Sequence, residues 1–478
     1  MFFNTTYNYC QDLQIFMLTY EQAIEYIESF IDYERIAAPY DPFGWKLERV
    51  ERLLELLGNP HLRLKVIHIA GTKGKGSTSA IVSTILKSAG YKVGLYTSPH
   101  LITFRERIVI NDEMISKEQV CKMVEYVKPY VEKLRQQEDT IGKISFFDVY
   151  TAIAMLFFEL EKVDFAVFEV GMGGRLDATN VVNPLVSVIT PISYDHMLSL
   201  GNTLTAIAGE KAGIIKENGY VVSAPQELEA LKVIKDTCKN KNAILFQVGQ
   251  DFTYEKTYTG AFNEFNVYGI FGRYDKLTVQ MLGEHQIINA TTALGAIECL
   301  RFHGIKIPSA SIKSGIFNAK LKARVEVVQY NPIIIIDVAH NSASAKALSE
   351  TIRKTFGYQK LILILGVSLH KDVKGMGEHL CPIADKIILT KVDNPRAMSP
   401  EAIREELIEF RDDFIITQNA RSAIEIAKSM ATPLDLICIT GSFYLAGEAM
   451  KVLNIGVYDS FDMELTDQHF LTSTSEGE

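Results

Sequence analysis

The chain has 478 residues, more than one ordinary core holds, and this predicts two domains. It is 47% hydrophobic and 22% charged with a formal charge of −9, the balance of a globular protein and one that excludes a general nucleic-acid binder. Six scattered cysteines exclude a disulfide framework or a paired zinc site, and no apolar run approaches the ~18 residues of a membrane span. The first Lys or Arg is Arg35, so no secretory leader is read and the cytoplasm is the expected compartment.

Residues 1–16 are polar and aromatic without a period and read as an extension, with Met17 as an alternative start. From Tyr20, residues Ala23, Ile24, Tyr26, Ile27 and Phe30 recur at helical spacing, and a second helix, 47–57, stops at Gly58-Asn59-Pro60. The loop 39–46 between them carries the only tryptophan, Trp45. A cap over a nucleotide and a plain surface connector are both open readings of that loop.

The stretch that follows organises the chain. Apolar residues at 64, 66, 67 and 69 predict a buried parallel strand that enters Gly71-Thr72-Lys73-Gly74-Lys75-Gly76-Ser77, and a helical pattern runs from 78 to 89. A strand, a glycine loop and a helix N-terminus form a cradle of backbone N–H groups for phosphate, with Lys75 as the counter-charge. An ordinary strand-to-helix turn has no need of two lysines and a hydroxyl residue. The spelling is not that of the standard P-loop, because Ile69 stands where a glycine is needed and Gly76 separates Lys75 from Ser77.

The next strand, 92–96, ends in Thr97-Ser98-Pro99-His100, with Arg105-Glu106-Arg107 beyond. Residues past strand C-termini in parallel sheets face the ligand crevice, so Ser98 is a candidate metal-ligating hydroxyl and His100 or Arg105 a candidate substrate contact. Alone, the segment reads rather as a proline turn with solvated charges. Helices at 117–136 and 146–160 follow, the second apolar nearly all round and so buried. In the strand 165–170, Glu169 interrupts an apolar run at the C-terminal end, ahead of Gly171-Met172-Gly173-Gly174. A buried carboxylate there is costly unless paired or metal-bound, and acids beside phosphate loops hold Mg²⁺. The strand 185–192 delivers Asp195-His196, so three strand ends bring Ser98, Glu169 and His196 to the side of the sheet that carries the loop. A helix over 203–216 contains Lys211, which by itself reads as a surface ion pair with Glu210 or Glu217.

From 219 to 282 the pattern is strand-like, with strands at 220–224 and 243–248 and then the Tyr/Phe/Gly-rich 252–282; helical periodicity returns at 285–302, and polar connectors at 303–323 mark the domain boundary. A strand at 325–337 then opens a clean alternation of strands and helices to 452, a second parallel α/β domain. Strand ends place Asp337, His340 and Ser442 where ligands bind such sheets. After Lys451 the tail holds six acidic residues and no Lys or Arg, and reads as a frayed terminus.

Together these motifs resemble the folylpolyglutamate synthase/dihydrofolate synthase family of the Mur-ligase superfamily, over residues 20–447. The resemblance rests, in order, on the glycine loop from His68 to Ser77, on Thr97 to His100 with Glu106-Arg107, and on Glu169-Val-Gly-Met-Gly-Gly-Arg-Leu-Asp-Ala-Thr-Asn180. It continues through Asp195-His196, Glu210-Lys-Ala-Gly-Ile214, His285-Gln286 with Asn289-Ala290, Asp337-Val-Ala-His-Asn341 and Gly441-Ser442. Local departures are Lys73 where the family usually has Asn, Ala323 in place of Gly before Arg324, and His370-Lys371-Asp372 in place of Asp-Lys-Asp.

The resemblance implies a P-loop-containing, mainly parallel α/β domain and a smaller Rossmann-like C-terminal domain. The expected divisions are 1–16 (extension), 17–318 (ATP-binding central domain), 324–454 (glutamate-ligase domain) and 455–478 (acidic tail). It implies ATP-dependent addition of L-glutamate to a pteroate or folate carboxylate through an acyl phosphate. Gly71, Thr72, Gly74, Lys75, Gly76 and Ser77 would hold the phosphates. Ser98, Glu169 and His196 would bind Mg²⁺, and a carbamylated Lys211 would position a second ion. Lys75, Lys211 and His196 are thus the expected catalytic groups. Asn289, Arg324 and Asp337 would contact ATP, and His340, assigned with them, would also border a glutamate site with Ser442. Arg175, Asp177 and His100 would face the pterin-bearing substrate. A monomer acting on small molecules, without nucleic-acid or membrane partners, is expected, as is domain closure before chemistry. Two other readings stand beside this one. They are a Mur-type ligase acting on a cell-wall precursor, for which residues 1–60 look too short to hold a nucleotide-sugar domain, and a non-catalytic nucleotide switch.

Overall fold

The computed structural model describes residues 18–33, 46–137, 142–259 and 262–456. The N-terminal extension, the Trp45 loop up to residue 45 and the acidic tail from 457 lie outside the described residues.

The central sheet is built from β1 (Val66–Ala70), β2 (Val93–Tyr96), β3 (Ile108–Ile110), β4 (Glu113–Met114), β5 (Phe165–Glu169), β6 (Val186–Ile189), β7 (Tyr220–Ser223) and β8 (Ile244–Gln247). Its order is β4-β3-β2-β5-β1-β6-β7-β8, parallel from β2 to β8 with β3 and β4 antiparallel at one edge. Successive side chains of β1 separate the two faces. Val66 joins the core formed with helices Tyr20–Glu28, Glu48–Leu56, Lys117–Arg135 and Phe146–Leu160. Ile67 and Ile69 join the core beneath helices Lys75–Ser88, His285–Cys299 and Ser309–Asn318. All five residues of β1 and of β5 are buried, as strands covered on both faces require.

Two differences from the sequence reading have local causes. In the segment 219–282 the strands expected at 220–224 and 243–248 are β7 and β8, but the stretch between them is a helix, Leu228–Asn240, buried through Ala230, Ile234 and Cys238 at four-residue spacing. The remainder forms a separate antiparallel sheet, β9 (Thr253–Thr259), β10 (Asn263–Tyr268) and β11 (Arg273–Val279), whose Phe265, Val267 and Leu277 share the second core. The phosphate-loop helix begins at Lys75, not 78. Gly76, Ser77, Thr78 and Ser79 are weak helix formers, but burial of the first turns overrides propensity.

The C-terminal sheet contains β12 (Glu326–Gln329), β13 (Ile333–Ile336), β14 (Leu361–Leu365), β15 (Lys386–Leu389), β16 (Phe414–Ile416) and β17 (Leu436–Thr440), in the order β12-β13-β17-β14-β15-β16. The single strand expected over 325–337 is instead the antiparallel pair β12–β13, reversed near Asn331, whose φ of 61° is left-handed. Helices Ser342–Thr355, Val373–Leu380 and Pro400–Leu407 cover one face, and Ala420–Met430 and Phe443–Val452 the other. Leu101 and Ile102, from the central domain, pack against this second core. No helix among the described residues is long and apolar enough to cross a membrane.

Helix Ser309–Asn318 fixes the phosphate-loop helix from behind, and a Cβ at Gly315 would run into the backbone of Ile85. Ala has higher helix propensity than Gly by ~1 kcal/mol, whereas overpacking a tight contact costs about 1–3 kcal/mol. Gly315→Ala is therefore expected to lower stability despite its better propensity, with urea unfolding as the check; an unchanged or raised midpoint contradicts the packing argument.

Candidate active site

The phosphate loop leaves β1 at Ala70 and is tied to the loop after β6. Thr72 N and Lys73 N both donate to Pro191 O at 3.0 and 3.2 Å, and Thr72 Oγ1 donates to Ser193 O at 3.1 Å. Gly74 has φ of 79° and abuts the amide of Asn289, so a side chain there would meet both backbone strain and a clash. The helix N-terminus that follows directs its free N–H groups toward a cavity of about 440 Å³ between the two domains, within the range of small-molecule sites.

This cavity gathers Gly71, Thr72, Gly74, Lys75, Gly76 and Ser77 with Ser98, Glu169, His196 and Lys211 from the central sheet. Asn289 enters from helix His285–Cys299, and Arg324, Asp337 and His340 from the segments around β12 and β13. It does not gather Arg175, Asp177 or His100, expected to face the pterin-bearing substrate, or Ser442, expected with His340 at the glutamate. Arg175 is exposed and pairs with Glu210 at 2.8 Å. His100 Nδ1 accepts from Arg107 Nε at 2.9 Å and the ring packs on Phe104, while Arg105 Nε donates to Ile115 O at 2.7 Å. Asp177 is buried, accepting from Thr179 N at 3.0 Å and Met172 N at 2.9 Å; burial pushes its carboxyl up to about 6. Ser442 caps helix Phe443–Val452, its Oγ accepting from Leu445 N at 3.1 Å.

The surface ion pair read for Lys211 from its own segment does not form. Lys211 is 4% exposed, and its Nζ donates to Gly71 O at 2.9 Å, while Glu210 is taken by Arg175. Burial, with Lys75 nearby, lowers the Lys211 ammonium to about 7. Glu169 lies 5% exposed at the end of β5, beside Ile69 of β1. Burial raises its carboxyl, opposed chiefly by Lys75 and then by Arg324 and the Ser98 amide. Asp337 ties down the segment between the domains, accepting from Val325 N at 3.0 Å and Ala339 N at 2.8 Å.

Among the described residues no group of three His, Cys, Asp or Glu side chains converges as a metal cage. The carboxylate of Glu169, on a cavity wall it shares with Ser98 and His196, is instead the sparse donor set that suits Mg²⁺, which completes its shell with water and phosphate oxygens.

Sequence reasoning passed over Asp195, Lys73, Asn341 and Lys371. Asp195 was named only beside His196, and its side-chain hydrogen-bond and ion-pair partners in the C-terminal domain lie 145 or more positions away, which no local pattern reveals. Lys73 registered as a departure in spelling; it lines the cavity and burial lowers its ammonium.

Comparison with known proteins fits this geometry. Residues 69–297 match the Mur ligase middle domain and residues 323–443 the Mur ligase glutamate ligase domain. A Bacillus subtilis protein named dihydrofolate synthase/folylpolyglutamate synthase is 36% identical, over 86% of this chain and 96% of its own. The Mycobacterium tuberculosis folylpolyglutamate synthase complexed with ADP and AMPPCP superposes with a TM-score of 0.81 at 34% identity, covering 86% of this chain and 95% of that one. The Escherichia coli FolC in complex with DHPP and ADP gives 0.79 at 28% identity, over 90% and 97%. With two ligase domains matched and this identity sustained over nearly whole chains, the protein belongs to the dihydrofolate synthase/folylpolyglutamate synthase family of Mur ligases.

Proposed function

We propose that the chain joins L-glutamate to the carboxylate of a pteroate or folate, using ATP and passing through an acyl phosphate. The observation that carries this reading is one cavity lined jointly by the phosphate loop, by Glu169 and by Arg324, Asp337 and His340. A carboxylate is a poor acyl donor, and a phosphoryl group approaching it meets like charge. Lys75, Arg324 and the loop amides offset that repulsion where the phosphates lie. The substrate carboxylate oxygen attacks the terminal phosphorus and ADP leaves. The glutamate amine then attacks the acyl carbon, phosphate leaves, and the amine proton passes to solvent. Ser98, Glu169 and His196 would hold Mg²⁺, which, when bound, neutralises phosphate charge.

The buried Lys211 supports a finer reading. With its ammonium lowered to about 7, a large share is neutral amine near neutrality, the form that takes up CO₂ to give a carbamate and releases a proton to water. The resulting anion would position a second Mg²⁺. Dihydropteroate and reduced folates are both acceptors in this reading, as the name of the Bacillus relative suggests, and the chain acts as a cytoplasmic monomer without nucleic-acid or membrane partners.

Three outcomes test it. Purified protein with ATP, Mg²⁺ and glutamate should convert both dihydropteroate and a reduced folate; glutamylation of the folate alone would remove the bifunctional part. Lys75→Ala should lose about 10²-fold or more in ligation with a melting temperature within a few degrees of wild type, because the side chain lines the cavity and belongs to none of the hydrophobic cores. Lys211→Ala should be nearly inactive and partly rescued by short carboxylic acids, and rescue by neutral amides of the same size would contradict the carbamate.

Lys211 also carries a pH signature. Its folded value of about 7 lies below the unfolded 10.5, so between them the unfolded chain binds more protons. The stability of wild type relative to Lys211→Met should therefore rise with pH from 7 to 10, by at most about 1.4 kcal/mol per pH unit. Melting both proteins across that range in CO₂-free buffer is the measurement, and a flat difference would contradict the assignment.

A further inference from the structure

Asp195 lies in the loop after β6 of the central domain, yet the side chains that pair most closely with its carboxylate come from the C-terminal domain. Lys371 Nζ donates to Oδ1 at 2.9 Å, Asn341 Nδ2 donates to Oδ2 at 3.3 Å, and His340 Nε2 stands 3.4 Å from Oδ2. The Asp195 and Lys371 side chains are 9% and 13% exposed, so the ion pair is largely withdrawn from water. The neighbouring His196 meets Oδ1 only through its backbone N–H, which donates at 2.9 Å; its ring Nε2 is 3.9 Å away, beyond hydrogen-bond reach, and its side chain is 42% exposed.

The cluster is not part of either domain's packing. The central loop backs onto the core around Ile189, Ile192 and Leu200, while Asn341 and Lys371 precede helices seated on the C-terminal sheet. Each domain retains its own core without the contact. A carboxylate and an ammonium buried together are stable as a pair and costly if one is removed, but both are readily rehydrated when surfaces part. Such a contact suits a reversible docking surface better than a folding nucleus.

We propose that Asp195 is a positioning residue for ligation, an inter-domain clasp that acts through Lys371 and His340 to hold the C-terminal domain over the phosphate loop, and not through His196 on the metal. The proposal rests on the ligase reading, in which both domains must line the site at once. It assigns Lys371, the lysine retained within the altered His370-Lys371-Asp372 segment, to the same clasp.

The test is a double-mutant cycle on the full chain with Asp195→Asn, which keeps shape and removes charge, and Lys371→Met. Each single variant should lower kcat for glutamate addition by about tenfold or more, and the double variant should be no worse than the poorer single within about twofold. The Mg²⁺ concentration for half-maximal rate should stay within about twofold of wild type in Asp195→Asn and rise well beyond that in His196→Ala. Small-angle scattering of the unliganded proteins should give a larger radius of gyration for Asp195→Asn than for wild type, with its near-native melting temperature showing that the domains stay folded. Multiplicative losses in the cycle, a Mg²⁺ shift matching that of His196→Ala, or superimposable scattering curves would each overturn the clasp. If wild type transferred no glutamate to any pteroate or folate, the ligase reading would fall, while the scattering comparison would still decide the docking contact.

Discussion

A carboxylate buried at the end of β5 is the constraint around which the site is built. Glu169 is held where burial alone would drive it to protonate, and Lys75, Arg324 and the Ser98 amide offset that tendency. Each comes from a different part of the chain. The sheet order explains how they meet: β2 and β1 flank β5, so the Ser98 turn and the phosphate loop open on either side of Glu169. Arg324 arrives from the segment between the domains, which makes the acid's environment depend on the position of the C-terminal domain. A substrate phosphate or a cation entering the cavity therefore meets charge that is already arranged and needs little reorganisation.

How much of this was legible in the sequence follows from the range of each interaction. The strand, glycine loop and lysines at 64–77 are contiguous, so their chemistry could be read directly. The alternation after 340 was equally plain, because strands such as Leu361–Leu365, buried on both faces, form unbroken apolar runs. Helix Leu228–Asn240 was missed because its buried Ala230, Ile234 and Cys238 are a narrow stripe among charged residues and β-rich flanks. The reversal at Asn331 was missed because apolar residues stand on both sides of it, so the run looked continuous. Lys211 illustrates the opposite failure. Beside Glu210 and Glu217 it looked solvated, and only the fold shows that the helix turns it beneath the glycine loop, onto Gly71 O.

The two domains are joined by contacts of different character. Leu101 and Ile102 lend apolar area to the C-terminal core, whereas Asp195, Lys371, Asn341 and His340 meet through charge and hydrogen bonds. Polar inter-domain surfaces within a chain part more readily than apolar ones, so relative motion is the default expectation. Placing the polar contacts beside the cavity, where nucleotide and amino acid must enter, puts the separable part of the interface where access is required.

Burial also sorts the charges of the site. His68, fully buried on β1, is lowered to about 3 and stays neutral, its Nε2 2.8 Å from Thr179 Oγ1. Because the Thr179 hydroxyl donates to Asp177 Oδ1, it can only accept from His68, which fixes the proton on Nε2. That chain of bonds runs from beneath the phosphate loop to Asp177 and so to the amide of Met172, joining β1 to the glycine turn after β5 without placing a cation between them. His285 is lowered to about 4 by burial with Arg324 and Lys73 nearby, and Lys211 to about 7, so neither adds a full positive charge near neutrality. Lys75 and then Arg324 are the groups whose positive charge chiefly opposes protonation of Glu169. An anion entering at the carboxylate end of β5 therefore meets the charges of Lys75 and Arg324 beside Glu169, already arranged where repulsion from the acid would otherwise be greatest.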